Sequence, residues 1–209
     1  MACRIESLFI AGPAGKLEAL IEEPEQRDAV EAALICHPHP LHGGTMHNKV
    51  VYRLARGLRQ TGRVVLRFNY RGVNLSEGEH AHGQGEIDDA RVSLEELRRR
   101  YPSLPVMIGG FSFGSRIALK TALAHPELSR VIAVGYPTTY KNRTYINEIK
   151  VPKIFIQSTH DVHGPREDFE PFFAALPEPK RLIWIEAGDH FFRDALDPFE
   201  QAVKEAVSD

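Results

Sequence analysis

A serine, an aspartate and a histidine fall in this chain where they could perform nucleophilic acyl transfer. Ser112 is the centre of Gly110-Phe111-Ser112-Phe113-Gly114, a G-x-S-x-G pattern. The apolar run "PVMIG" (105–109) precedes it and the helical stretch "SRIALKTALAH" follows at once, the strand–turn–helix setting the pattern needs. A serine hydroxyl is a poor nucleophile at neutral pH and requires a base, itself oriented by an acid. On a strand–turn–helix nucleophile the chain order is serine, acid, histidine. Downstream lie His125, His160, His163 and His190. His125, in "ALAHPE", reads as a helix end, whereas His190, in "IEAGDHFF", falls between the last apolar run and the last helical segment. Asp161, in "IQSTHDVHGP", follows another apolar run. Asp168 reads as part of the next helix, and Asp189 beside His190 would point elsewhere. Ser112, Asp161 and His190 are therefore the candidate triad.

A second concentration of chemistry is "HPHPLHGGTMH", which carries His37, His39, His42 and His47. Clustered imidazoles suggest a metal, but this loop contains no carboxylate or cysteine. Its prolines also restrict the backbone that would have to bring the rings together. The expectation is no metal and no cofactor, with these imidazoles bonding loop backbone or lining the mouth of a site.

The elements that must position these residues are legible as short apolar runs. They are "AALIC" (32–36), "RVVLRFN" (63–69), "PVMIG" (105–109), "RVIAVG" (130–135), "KIFIQ" (153–157) and "RLIWIE" (181–186). Near-continuous apolarity marks strands buried on both faces. Between them, Ile87, Ala90, Leu94, Leu97 and Tyr101 step along one helical face, as do Phe192, Leu196, Phe199 and Val203. "IESLFIAGPAGKLEALIEE" reads as two strands joined at Gly12-Pro13-Ala14-Gly15. Alternating elements behind an N-terminal hairpin predict an α/β fold with a mostly parallel central sheet and helices on both faces. Ligands in such sheets bind at the carboxyl ends of the strands, where all three candidate residues fall.

Composition narrows the function classes. The 209 residues are most simply one domain over 1–209, and 26 Lys+Arg against 28 Asp+Glu give no electrostatic case for nucleic acid or an anionic membrane. The basic run Arg98 to Arg100 reads as the last turn of a helix, where cations oppose the dipole. Two cysteines, Cys3 and Cys36, are too few for a disulfide framework, and Cys36 reads as a small buried hydrophobe. No stretch has the pattern of a signal peptide or a membrane span, so the expectation is a cytoplasmic protein.

With these residues placed, the chain resembles the α/β-hydrolase superfamily, in particular the small lidless bacterial hydrolases near the dienelactone-hydrolase and carboxylesterase branches. The resemblance runs through "HPHPLHGGTMHNKVV", "FNYRGVNLSEGE", "GGFSFGS", "STHDVHGP" and "GDHFF", in that order. It implies an eight-stranded sheet and acyl-ester chemistry on a small-molecule substrate. Dienelactone hydrolases carry a cysteine where this chain has Ser112, which argues against that activity. Many relatives read R-G-x-G-x-S where this chain has Arg71 to Ser76 with Asn74 in place of the glycine, and Asn tolerates the left-handed backbone such a turn needs. Only some fifteen residues separate "RVIAVG" from "VPKIFIQ", where other members insert a cap, so the site should be open. The resemblance also places two oxyanion donors. One is the N–H of Phe113; the other comes from the "HPHPLHGG" loop, where Pro38 and Pro40 lack an N–H and leave His39 or Leu41. Thioesterase, acyltransferase or peptidase chemistry, or a non-catalytic scaffold, would use the same frame. Phe111, Tyr136, Tyr140 and Phe191 could line a pocket or pack the core.

Overall fold

The computed structural model describes residues 4–24 and 28–208; Cys3 lies outside them. Eight strands form one sheet: β1 (Ile5–Gly12), β2 (Gly15–Glu22), β3 (Glu31–Cys36), β4 (Arg63–Phe68), β5 (Val106–Phe111), β6 (Val131–Val134), β7 (Lys153–Ser158) and β8 (Lys180–Ile185). Their order is β1-β2-β4-β3-β5-β6-β7-β8. The hairpin β1–β2 is antiparallel and β2 joins β4 antiparallel; every later pairing is parallel. The strand residues of β3, β4, β5, β6 and β7 are buried throughout, as the unbroken apolar runs require.

Among the described residues five α-helices cover the two faces. They are α1 (Lys49–Gln60), α2 (Gln84–Arg100), α3 (Phe113–Ala124), α4 (Arg166–Ala174) and α5 (Leu196–Ala206). One core joins Val50, Leu54 and Leu58 of α1 and Phe199 and Val203 of α5 to Ile35, Val65 and Ile156 of the sheet. The other joins Leu94 of α2, Ile117 of α3 and Phe169 of α4 to Leu34, Ile108 and Phe155. Because side chains alternate across a strand, Leu34 and Ile35 serve opposite cores. Cys36 is a free, buried thiol inside the first of these strands.

The basic run closes α2 as expected, with Arg99 and Arg100 paired to Glu96 and Arg98 to Glu127. One expectation needs correction. Phe192 belongs to the apolar series of α5 but not to the helix, which begins at Leu196. Its backbone is left-handed (φ 56°), as is that of Asp194 (φ 61°), so the chain turns here before the helix starts. The side chain is still fully buried against Phe199, 4.6 Å between ring centroids. Burial alone thus reproduced the helical spacing. Among the described residues no helix is long and apolar enough to cross a membrane.

Candidate active site

Ser112 stands on the bend between β5 and α3. Its backbone is held at φ 56° and ψ −118°, a conformation rarely adopted by a residue with a side chain. The bend closes because Gly110 and Gly114 lack side chains. A Cβ on Gly110 would overlap the Gly114 carbonyl, and one on Gly114 would overlap the carbonyls of Cys36 and His37. The result lifts the Ser112 side chain above the strand ends, at the positive N-terminus of α3.

His190 follows β8 and Asp161 follows β7, at the same edge. His190 Nε2 lies 2.9 Å from Ser112 Oγ, and its Nδ1 lies 2.7 Å from Asp161 Oδ2. An ionised Asp161 only accepts, so Nδ1 carries the proton and Nε2 is left to accept from the Ser112 hydroxyl. The other oxygen, Oδ1, accepts from the His163 N–H at 2.8 Å, which fixes the carboxylate plane. Asp161 is 2% exposed and His190 5%. Phe111 packs tilted against the imidazole at 4.9 Å and His163 packs edge-on at 4.7 Å. Gly135 (φ 54°) makes room for it, since a Cβ there would come within 3.1 Å of His190 Cε1. Asp189 points away and accepts from the N–H groups of Phe191 and Arg193, while Asp168 is exposed in the first turn of α4.

The histidine-rich loop lies opposite. His37 is fully buried; its Nδ1–H donates to the Pro38 carbonyl at 2.7 Å and its Nε2 accepts from the Tyr70 N–H at 3.1 Å. Burial pushes its pKa down to about 3, so it is a neutral imidazole with the proton on Nδ1. After Pro38 the chain makes a 3-10 turn at Pro40–His42. The His39 carbonyl accepts from His42 N–H and Gly44 N–H, and the His39 Nδ1 accepts from Leu41 N–H at 3.2 Å. The Leu41 N–H is therefore occupied and its side chain is exposed, whereas the His39 N–H donates to no described residue. Phe113 is the first residue of α3, so its N–H has no carbonyl in its own helix. The rings of His39 and Phe113 lie 4.8 Å apart.

These loops enclose an open cleft of about 220 Å³ whose wall includes His39, Ser112, Phe113, Tyr140, His190 and Phe191. Of the four aromatic candidates, Tyr140 and Phe191 reach it; Phe111 and Tyr136 are wholly buried. His39 and His42 stack at 4.6 Å on the rim, and His47 is exposed. Among the described residues no three His, Cys, Asp or Glu side chains converge to hold a metal ion. Asn74 takes the left-handed conformation (φ 49°) that its place in the Arg71–Ser76 turn demands. The sequence pointed to no role for His163 at the site, and for His37 only to bonding loop backbone or lining the mouth; His37 does bond the Pro38 carbonyl. His163 acts through a local contact, its N–H two residues from Asp161, whereas His37 is also held by the distant Tyr70 N–H, which no local spacing encodes.

Residues 32–202 match the model of the alpha/beta hydrolase domain family. The chain belongs to the α/β-hydrolase family. The hydrolase is similar to an uncharacterised protein of Rickettsia prowazekii, 31% identical over 95% of this chain and 87% of that one. Among solved structures it resembles an alpha-beta serine hydrolase homologue from Coxiella burnetii, at 32% identity and TM-score 0.93 over 97% of each chain. It also resembles an α/β serine hydrolase without a lid from Xanthomonas campestris, at 32% identity and TM-score 0.90 over 99% of this chain and 95% of that one. The lidless description fits the short β6–β7 connection of this hydrolase, which holds only a 3-10 turn at Thr144–Glu148.

Proposed function

We propose that this α/β-hydrolase is a serine hydrolase that cleaves small carboxylic esters through an acyl-enzyme on Ser112. The observation that carries the reading is the continuous hydrogen-bonded chain Ser112 Oγ–His190–Asp161, 2.9 and 2.7 Å long, in an uncapped cleft. As Ser112 Oγ bonds to the ester carbon, its proton passes to His190 Nε2. Asp161 holds the Nδ1–H tautomer and stabilises the imidazolium that forms. The carbonyl oxygen, now an oxyanion, accepts from the N–H groups of Phe113 and His39; each such donor contributes about 3–4 kcal/mol. The tetrahedral intermediate expels the alcohol, which takes its proton from His190. Water then gives a proton to His190 and bonds to the acyl carbon, and collapse returns the serine and releases the acid.

The small cleft, walled by Tyr140 and Phe191, favours a compact ester over a long acyl chain. Thioesters, activated acyl acceptors and amides would follow the same acyl-enzyme route. Hydrolysis of p-nitrophenyl acetate by wild-type protein and by Ser112→Ala tests the reading, alongside matched ester, thioester and aminoacyl-amide substrates. Fastest turnover on the ester, abolished in Ser112→Ala, supports it. Undiminished turnover in Ser112→Ala, or a clear preference for thioester or amide, contradicts it.

A further inference from the structure

Among the described residues the cleft wall includes no carboxylate side chain. Two buried acids near the cleft, one in the loop after β7 and one in the first turn of α2, are already engaged. Asp161 accepts from His190 and the His163 N–H, and Glu86 accepts from the N–H groups of Ala81 and Gly83 and lies 2.8 Å from His80. Cations instead flank both aromatic walls: Lys49 Nζ lies 5.9 Å from the Phe191 ring centre and Arg116 Cζ 4.7 Å from that of Tyr140. Lys49 shares its surface depression with Asp194 and Asp197. Arg116 has no such neighbour; among the described residues it makes no ion pair, and its Nε is buried without a hydrogen-bond partner.

The patch behind Tyr140 is short of acceptors generally. Among the described residues Arg143 Nη1 is also buried without a hydrogen-bond partner, while the Tyr136 and Tyr145 hydroxyls face each other. Tyr136 joins this patch through Tyr140 at 6.0 Å and Phe172 at 5.6 Å, and Arg143 lies over Phe172 at 4.9 Å. Burial and the charge of Arg116 together hold the Lys120 ammonium below its ordinary range, as an uncompensated guanidinium should.

Position completes the case. Arg116 is the fourth residue of α3, about 6 Å along the helix from Ser112, and its N–H donates to the Ser112 carbonyl at 3.4 Å. A Cβ on Gly83 would come within 3.2 Å of Arg116 Nη1 and 4.0 Å of Phe113 Cε2, so the guanidinium lies within about 7 Å of that ring, behind the cleft wall that Phe113 and Tyr140 form. It is half-buried, held by Tyr140 on one side and Gly83 on the other. A planar guanidinium fixed in this way matches a carboxylate bidentately.

We propose that Arg116 is a specificity residue, selecting esters that carry a carboxylate roughly one helical turn from the scissile carbonyl. The monoester of a linear dicarboxylic acid is the simplest such substrate. This rests on the ester-hydrolase reading above and adds its substrate class.

The test compares monomethyl adipate with dimethyl adipate at neutral pH in wild type, Arg116→Gln and Arg116→Lys. The readout is the ratio of the two kcat/KM values within each protein, which is independent of the active fraction. The wild type should favour the monoester anion by about tenfold or more, the scale of a charge-assisted hydrogen bond. Arg116→Gln should abolish the preference through KM, and Arg116→Lys should keep part of it. A wild type that prefers the diester, or a ratio that survives Arg116→Gln, overturns the proposal. Should neither ester turn over, calorimetric binding of adipate to Ser112→Ala and to Ser112→Ala/Arg116→Gln decides. Binding lost only with Arg116 upholds the anion site and no binding, or equal binding, overturns it, while the ester reading stands or falls separately by Ser112-dependent turnover of p-nitrophenyl acetate.

Discussion

The Nδ1–H of His37 donates to the carbonyl of its own neighbour, Pro38, over 2.7 Å, while its Nε2 holds the Tyr70 N–H two residues beyond β4. A peptide unit is planar and trans, so fixing the Pro38 carbonyl also fixes the His39 N–H on the opposite side. A buried, neutral imidazole thereby aims the N–H we assign to the oxyanion. His37→Leu should lower kcat on p-nitrophenyl acetate by roughly tenfold to a hundredfold with little change in KM, short of the full loss of a donor. His37→Asn should retain more activity, because its amide can still donate to Pro38. Equal losses in both variants, or a loss confined to KM, would speak against the positioning role.

The same residue ties stability to pH. Burial lowers the His37 pKa from 6.5 to about 3, so between these values the unfolded chain binds a proton that the folded chain does not. Its contribution is whole above pH 6.5 and is lost as pH falls, amounting to about 2 kcal/mol by pH 5. Thermal unfolding midpoints should decline from pH 7 to pH 5. His37→Asn should flatten that decline; an identical slope in the variant would assign it to other groups.

Asp161 accepts from two donors, and only one of them belongs to the proton path. Asp161→Asn should leave KM nearly unchanged and reduce kcat by about 10⁴, as expected when the histidine loses its tautomer. His190→Ala should remove most activity. Steady-state kinetics across pH check both, and a mild effect of Asp161→Asn would point to a different acid.

Gly135 is the space in which His190 sits. Gly135→Ala strains a residue at φ 54° and brings a methyl within 3.1 Å of the imidazole, and within 2.9 Å of Phe111. The variant should lose roughly 1–3 kcal/mol of stability and a larger share of kcat than of folded protein. Denaturant titration beside initial rates measures the two; unchanged kcat would show that the ring has another way to fit.

The fold was legible because each parallel strand is a short, continuously apolar run. Ser112, Asp161 and His190 could be named together because each directly follows such a run. The β3 loop was only partly legible. The resemblance, with the prolines excluded, left His39 or Leu41 as the second oxyanion donor, and our preference for His39 rests on its ring turning back to accept from Leu41 N–H. The role of His37 depends on the amide of Tyr70, thirty-three residues away. Phe192 misled because a buried turn residue can share the spacing of the helix that follows it.

Fluorophosphonate labelling followed by peptide mapping tests the central claim most directly, because it reads the activated serine whatever the substrate. The account predicts a single adduct on the peptide containing Ser112, absent in Ser112→Ala and strongly slowed in His190→Ala. Folded wild-type protein that takes up no label, or an adduct that persists in Ser112→Ala, would contradict it.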